Sequence, residues 1–215
     1  MSRDTGFWFR WIIANAVGEL LGLGPVAFVA ILLVRVFSEG GGPEALFGLG
    51  LFTLLGAYEG AVVGLAQWLV LRRRLPEVSR RSWIWATVAG AATAWLLGML
   101  PSTIMSFIGG GGGAMPEPEG AGVYVMAAGM GLLLGAILAA PQWRVLRRQV
   151  HGAGWWIPAN SAAWAAAMPL TFLAAGLPLP QDGLLSLLLL ASAVIAAVGA
   201  LAGAIHGAVL VRLTR

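Results

Sequence analysis

Gly64-Leu65-Ala66-Gln67-Trp68-Leu69-Val70-Leu71-Arg72-Arg73 closes one long apolar stretch, and Ala139-Ala140-Pro141-Gln142-Trp143-Arg144-Val145-Leu146-Arg147-Arg148 closes another. A third stretch ends Gly203-Ala204-Ile205-His206-Gly207-Ala208-Val209-Leu210-Val211-Arg212, a degraded copy with His206 in the glutamine position and no tryptophan after it. A second motif opens the intervening stretches: Trp11-Ile12-Ile13-Ala14-Asn15, Trp83-Ile84-Trp85-Ala86-Thr87 and Trp156-Ile157-Pro158-Ala159-Asn160 each carry a polar residue four positions after a tryptophan. The spacing is 72 residues from Trp11 to Trp83 and 73 from Trp83 to Trp156. Two independent motifs with one period mark an internal repeat. The unit is a helix, a short outer loop and a helix, copied over about residues 8–74, 80–149 and 154–215. Three units predict packing with approximate threefold pseudo-symmetry about an axis along a membrane normal.

Composition excludes a water-soluble globule. Of 215 residues, 59% are hydrophobic and 10% charged, with mean hydropathy +0.86, against about 25% charged in soluble domains. Six apolar stretches run Trp11–Val36, Ala45–Leu71, Trp83–Ile108, Gly122–Leu146, Trp155–Leu177 and Leu184–Val211. Each can cross a hydrocarbon core of about 30 Å. None alternates with period two, which argues for helices rather than a barrel. The expected fold is an all-α integral membrane bundle, six transmembrane helices in three hairpins forming one membrane domain over 1–215, with no room for a folded extramembrane domain. The connections Ser38–Pro43, Gly109–Gly120 and Pro178–Gly183 are rich in Gly, Pro and acid, as turns are. The run Gly109–Gly113 has no lysine and leads into Pro116-Glu117-Pro118-Glu119, so it reads as a linker and not as a phosphate loop. The first span contains Glu19 and is followed by no small-residue cleavage site, so it is expected to be retained.

The repeated G-x-x-Q-W-x-V-L-R-R ending, followed by a Trp-led span, resembles that of a group of uncharacterised bacterial polytopic membrane proteins. The likeness extends over nearly the whole chain, with Gln67–Arg73 and Gln142–Arg148 matching in full. It implies a membrane location and no particular activity. Mitochondrial carriers also have six spans in three hairpins, but Pro25, Pro101 and Pro169 are followed here by apolar residues and not by the carriers' charged signature. A six-span intramembrane serine protease needs a serine on span 4, and Gly122–Leu146 has none.

Charge sets the expected orientation. All 13 basic residues are arginine, and twelve lie at one end of the spans: Arg3, Arg10, Arg72, Arg73, Arg74, Arg80, Arg81, Arg144, Arg147, Arg148, Arg212 and Arg215. The other end holds Glu39, Glu44, Glu117, Glu119 and Asp182, with Arg35 alone. The positive-inside rule then puts both termini in the cytoplasm, at a bacterial inner membrane. Trp8, Trp11, Trp68, Trp83, Trp85, Trp143, Trp155 and Trp156 share the Arg-rich end and read as an interfacial anchor belt. Anionic lipids at that face, and other membrane subunits, are the expected partners; nucleic acid is not. With no Cys and no Lys, thiolate chemistry, Cys-ligated metals and Schiff bases are excluded. We expect no catalysis, no metal and no cofactor.

Within the spans, small residues recur every four positions: Gly56, Gly60 and Gly64; Gly131, Gly135 and Ala139; Gly199, Gly203 and Gly207. This spacing lets helix backbones approach closely in lipid and argues against a wide pore. At 100° per residue, Glu59 and Gln67 lie on the glycine face of span 2, while Asn15, Gly18, Glu19 and Gly22 share one face of span 1. Gln67, Gln142 and His206 stand at equivalent depth, as do Asn15, Thr87 and Asn160. They form a candidate polar layer, which either locks helix register or lines a path. Glu19 and Glu59 break the repeat, since their counterparts are Ala91 and Trp164, and Leu134 and Val198. Mid-membrane charge costs at least about 2.5 kcal/mol. The two acids can meet across spans 1 and 2, and we expect at least one to carry its proton at neutral pH. They are the candidate ionisable site. Two functions follow as expectations: handling of a proton, small cation or solute through the polar layer, or an accessory or scaffold subunit that holds partners or lipids through its glycine faces and Arg/Trp rim.

Overall fold

A segment that crosses lipid must satisfy its own backbone hydrogen bonds, and the computed structural model follows that constraint: among the described residues, 3–37, 42–107, 120–175 and 183–215, there are helices and no strands. They are α1 (Arg3–Phe37), α2 (Gly42–Leu71), α3 (Arg80–Phe107), α4 (Ala121–Leu146), α5 (Trp156–Ala175) and α6 (Leu184–Leu213), with a 3-10 turn at Ala153–Trp155 before α5. Glu39, Glu117, Glu119, Asp182, the Gly109–Gly113 run and most of the three outer connections lie outside the described residues, as do Ile108 and Leu177 at expected span ends.

Five of the helices are long and apolar enough to cross a membrane. The sixth expected span, α5, falls short in composition and not in length. Its 20 residues cover about 30 Å at 1.5 Å each, but they include Pro158, Asn160, Ser161 and Pro169. Outward surfaces are apolar, as lipid requires, with Leu54, Val125 and Leu185 about 70% exposed.

The helices close into a ring in chain order, each packed on its sequence neighbours, with α6 returning to α1. The glycine faces explain which contacts are tight. A Cβ on Gly60 would stand 2.8 Å from Ala91 Cβ and 2.9 Å from Thr87 O on α3. One on Gly203 would stand 2.9 Å from Asn15 Cβ on α1, and ones on Gly131 and Gly135 would strike the Trp164 and Asn160 carbonyls of α5. The glycines of each even helix thus press on the odd helix of the next hairpin, which ties hairpin to hairpin.

The core is densest at the Arg-rich end, where Trp11, Trp83, Trp156, Leu71, Leu146 and Leu210 are fully buried. This corrects the reading of eight tryptophans as one interfacial belt. Trp85 and Trp155 are exposed and Trp8, Trp68 and Trp143 half-buried, as a belt requires, but Trp11, Trp83 and Trp156 fill the bundle axis. Their indole N–H groups find acceptors inside, so they need no interfacial water. The ring centroids of Trp11 and Trp83 lie 6.1 and 6.3 Å from that of Trp156.

Two tight connections set the depth of this plug. Ser79 caps α3, its Oγ accepting from Ser82 N at 3.1 Å. Before α5, Gly152 turns the chain at φ 71°, a left-handed conformation in which glycine meets no Cβ penalty. Arg74 then clasps the bundle end: its guanidinium pairs with Asp4 at 2.5 Å, lies 4.3 Å over the Phe7 ring and donates to Thr214 Oγ1 at 3.2 Å.

Candidate functional site

One residue position recurs on α1, α3 and α5, and it organises the interior. Asn15 Nδ2 donates to Trp11 O at 2.8 Å, Thr87 Oγ1 to Trp83 O at 3.0 Å, and Asn160 Nδ2 to Trp156 O at 2.8 Å. The i to i+4 spacing stacks each polar side chain directly above its tryptophan on the inward face. Each indole N–H is aimed at a neighbouring helix: Trp11 Nε1 donates to His206 Nδ1 at 3.0 Å, Trp83 Nε1 to Gln67 Oε1 at 3.2 Å, and Trp156 Nε1 to Gln142 Oε1 at 3.0 Å. The glutamines carry the chain of bonds onward. Gln67 Nε2 donates to Asn15 Oδ1 at 2.9 Å, and Gln142 Nε2 donates to Thr87 Oγ1 at 2.9 Å and to Gln67 Oε1 at 3.1 Å. Because His206 Nδ1 accepts, the ring is the neutral tautomer with its proton on Nε2.

Above this layer, on the side away from the Arg clusters, stand the two acids. Glu19 and Glu59 are 4% and 9% exposed. Both border the same small cavity, and one proton shared between two buried carboxyls spares the site a second negative charge. Glu59 Oε2 accepts from Trp95 Nε1 at 2.7 Å. Glu19 Oε2 is buried and has no partner among the described residues. Among the described residues, Asp4 forms ion pairs and neither of these acids does. Gly22 permits the approach of α1 to α2 here: a Cβ on it would lie 3.2 Å from both Cα and Cγ of Glu59.

All eight residues singled out in the sequence, Asn15, Glu19, Glu59, Gln67, Thr87, Gln142, Asn160 and His206, are buried and line one cavity of about 30 Å³. That is about the volume of one water in the liquid. A second cavity, of about 330 Å³, lies beyond it, with Leu23, Leu134, Leu138, Met99, Met130 and Met168 in its wall. Glu59, Ala91, Leu138 and Trp164 border both cavities, so the Glu59 carboxyl stands at the junction of a small polar chamber and a larger apolar one.

Sequence reasoning missed four functional neighbours. Trp11, Trp83 and Trp156 read as anchors beside the arginines, although their spacing to Asn15, Thr87 and Asn160 places each pair on one face. Trp95, the donor to Glu59, carries no repeat signature at all. The chain matches no known family model, no curated protein and no solved structure, so function rests on this geometry.

Proposed function

We propose that the chain is a non-enzymatic polytopic integral membrane protein that handles a proton or small cation at the Glu19–Glu59 pair. The observation that carries the reading is the unpartnered Glu19 Oε2, held in a buried carboxyl pair with no compensating cation among the described residues. A polar atom left unbonded in a lipid-shielded interior costs free energy, and a ligand that completes its shell recovers it. The polar layer below is bonded residue to residue and acts as the floor of the site. In this conformation the Trp11–Trp83–Trp156 plug closes the Arg-rich end, so passage across the membrane requires the plug to part.

The finer reading follows the sequence. Both termini face the cytoplasm of a bacterial inner membrane, in accord with the Arg asymmetry, and anionic lipids meet the Arg clusters. The three hairpins are copies of one unit arranged about a threefold pseudo-axis. The matched Trp bonds to His206, Gln67 and Gln142 support this reading. The scaffold reading draws less support, because the glycine faces that were to hold partners are filled by neighbouring helices.

The test is proton and cation flux in liposomes. Wild-type flux that is lost in Glu59→Gln and in Glu19→Gln is the expected result. Flux that persists in both variants overturns the assignment of the site, and a wild type without flux that co-purifies with membrane subunits restores the scaffold reading.

A further inference from the structure

Building on the proposed cation site, we infer that its ligand is a lipophilic organic monocation, an ammonium or other onium group on an apolar body, seated in the larger cavity with its charge at Glu59. The cavity's size and lining both bear on this. About 330 Å³ falls at the lower end of the range for small-molecule sites, about 300–1,000 Å³, and is far more than a proton needs. An inorganic cation demands a shell of oxygen ligands, whereas this wall is built of Met99, Met130, Met168 and aliphatic side chains, with Glu59 as its acid. Thioethers adapt to irregular apolar shapes. Trp95 and Trp164 also border the cavity, and indole rings attract organic cations in desolvated sites. An uncharged lipid chain would fit such walls but would find no use for a carboxyl at the base.

Charge balance adds a consequence. Two adjoining carboxyls that share one proton carry one negative charge, which balances one fixed positive charge, so the cation binds without proton release. The titratable groups around Glu59 are Glu19 from α1 and, across the polar chamber, His206 from α6; α3, α4 and α5 line both cavities without a titratable side chain.

The experiment uses the full chain purified in detergent and titrated calorimetrically with benzyltrimethylammonium, whose charge cannot be lost. Neopentylbenzene, its uncharged isostere, serves as the control. Buffers of different ionisation enthalpy count any protons exchanged. Wild type is expected to bind the cation without releasing a proton and to bind the isostere far more weakly. Glu59→Gln keeps the side-chain size and is expected to weaken cation binding by about thirtyfold or more, as loss of a buried charge partner does. Gly98 borders the cavity and has open space around it, so Gly98→Trp is expected to weaken cation binding without disturbing the fold. Equal binding of the isostere, or cation binding that survives in Glu59→Gln, overturns the inference. If wild type binds no cation yet moves protons in a Glu59-dependent way, the onium inference fails and the proton reading stands; if it does neither, both fail.

Discussion

Gly60 adjoins Glu59 in sequence and faces α3 at one of the close helix approaches of the ring. In Gly60→Ala the new methyl would meet Ala91 Cβ at 2.8 Å, Thr87 O at 2.9 Å and Val88 Cα at 2.9 Å. Two of these atoms are backbone, so no side-chain rotation relieves the crowding. Ordinary contact begins at 3.4 Å, so α2 must retreat from α3 by about 0.6 Å, and overpacking of this kind costs about 1–3 kcal/mol. For a chain of this length that corresponds to a fall of about 2–12 °C in the thermal midpoint. The retreat also pulls Glu59 from Trp95, a bond of 2.7 Å, so the site loosens along with the fold. Gly50 on the same helix has no neighbour within 4 Å. Gly50→Ala is therefore expected to be neutral or to stabilise by up to about 1 kcal/mol through helix propensity. Tryptophan fluorescence of the detergent-solubilised protein during heating reads both midpoints. Equal midpoints for the two variants would refute the claim that the glycine faces hold the ring together.

Gln142→Leu removes the acceptor of Trp156 Nε1 and the donor to Thr87 Oγ1. It should lower stability by about 0.6–2 kcal/mol for each bond lost, which the same thermal scan measures. Trp156→Ala empties the centre of the plug and should cost about 3–5 kcal/mol; in liposomes it should also raise the proton leak above wild type. Arg74→Ala removes the link from Thr214 to Asp4 and Phe7 and leaves the Arg215–Asp4 pair in place, and faster trypsin cleavage after Arg212, at nearly unchanged thermal midpoint, is the expected outcome.

Much of this interior is legible in the residues themselves. Hydropathy locates the helices, and the recurring tryptophan and glutamine motifs pick out Asn15, Gln67, Thr87, Gln142, Asn160 and His206, which line one cavity. The meeting of Glu19 with Glu59 follows from helical rise and shared faces. What stays hidden is lateral: a glycine stripe says that a helix is approached closely and not by which neighbour. Trp11 and Trp83 illustrate a second limit. A tryptophan beside an arginine cluster satisfies the rule for an interfacial anchor whether it faces lipid or the axis, and only the packing of α6 and α2 against it decides. The 330 Å³ cavity has no sequence signature, because it arises from what small and large side chains on α3, α4 and α5 leave unfilled. α5 reads as a full span by length, yet its described residues do not reach the apolar content over a span's length that the other five helices do.

On the proposed function, Glu19 and Glu59 form a carboxyl pair that shares a proton away from water. Infrared difference spectroscopy of the protein in lipid at neutral pH addresses it directly. A protonated-carboxyl stretch should appear in wild type, persist in Glu44→Gln at the exposed end of α2, and vanish when both Glu19→Gln and Glu59→Gln are present. Wild-type spectra in which these two residues contribute carboxylate bands alone would contradict it.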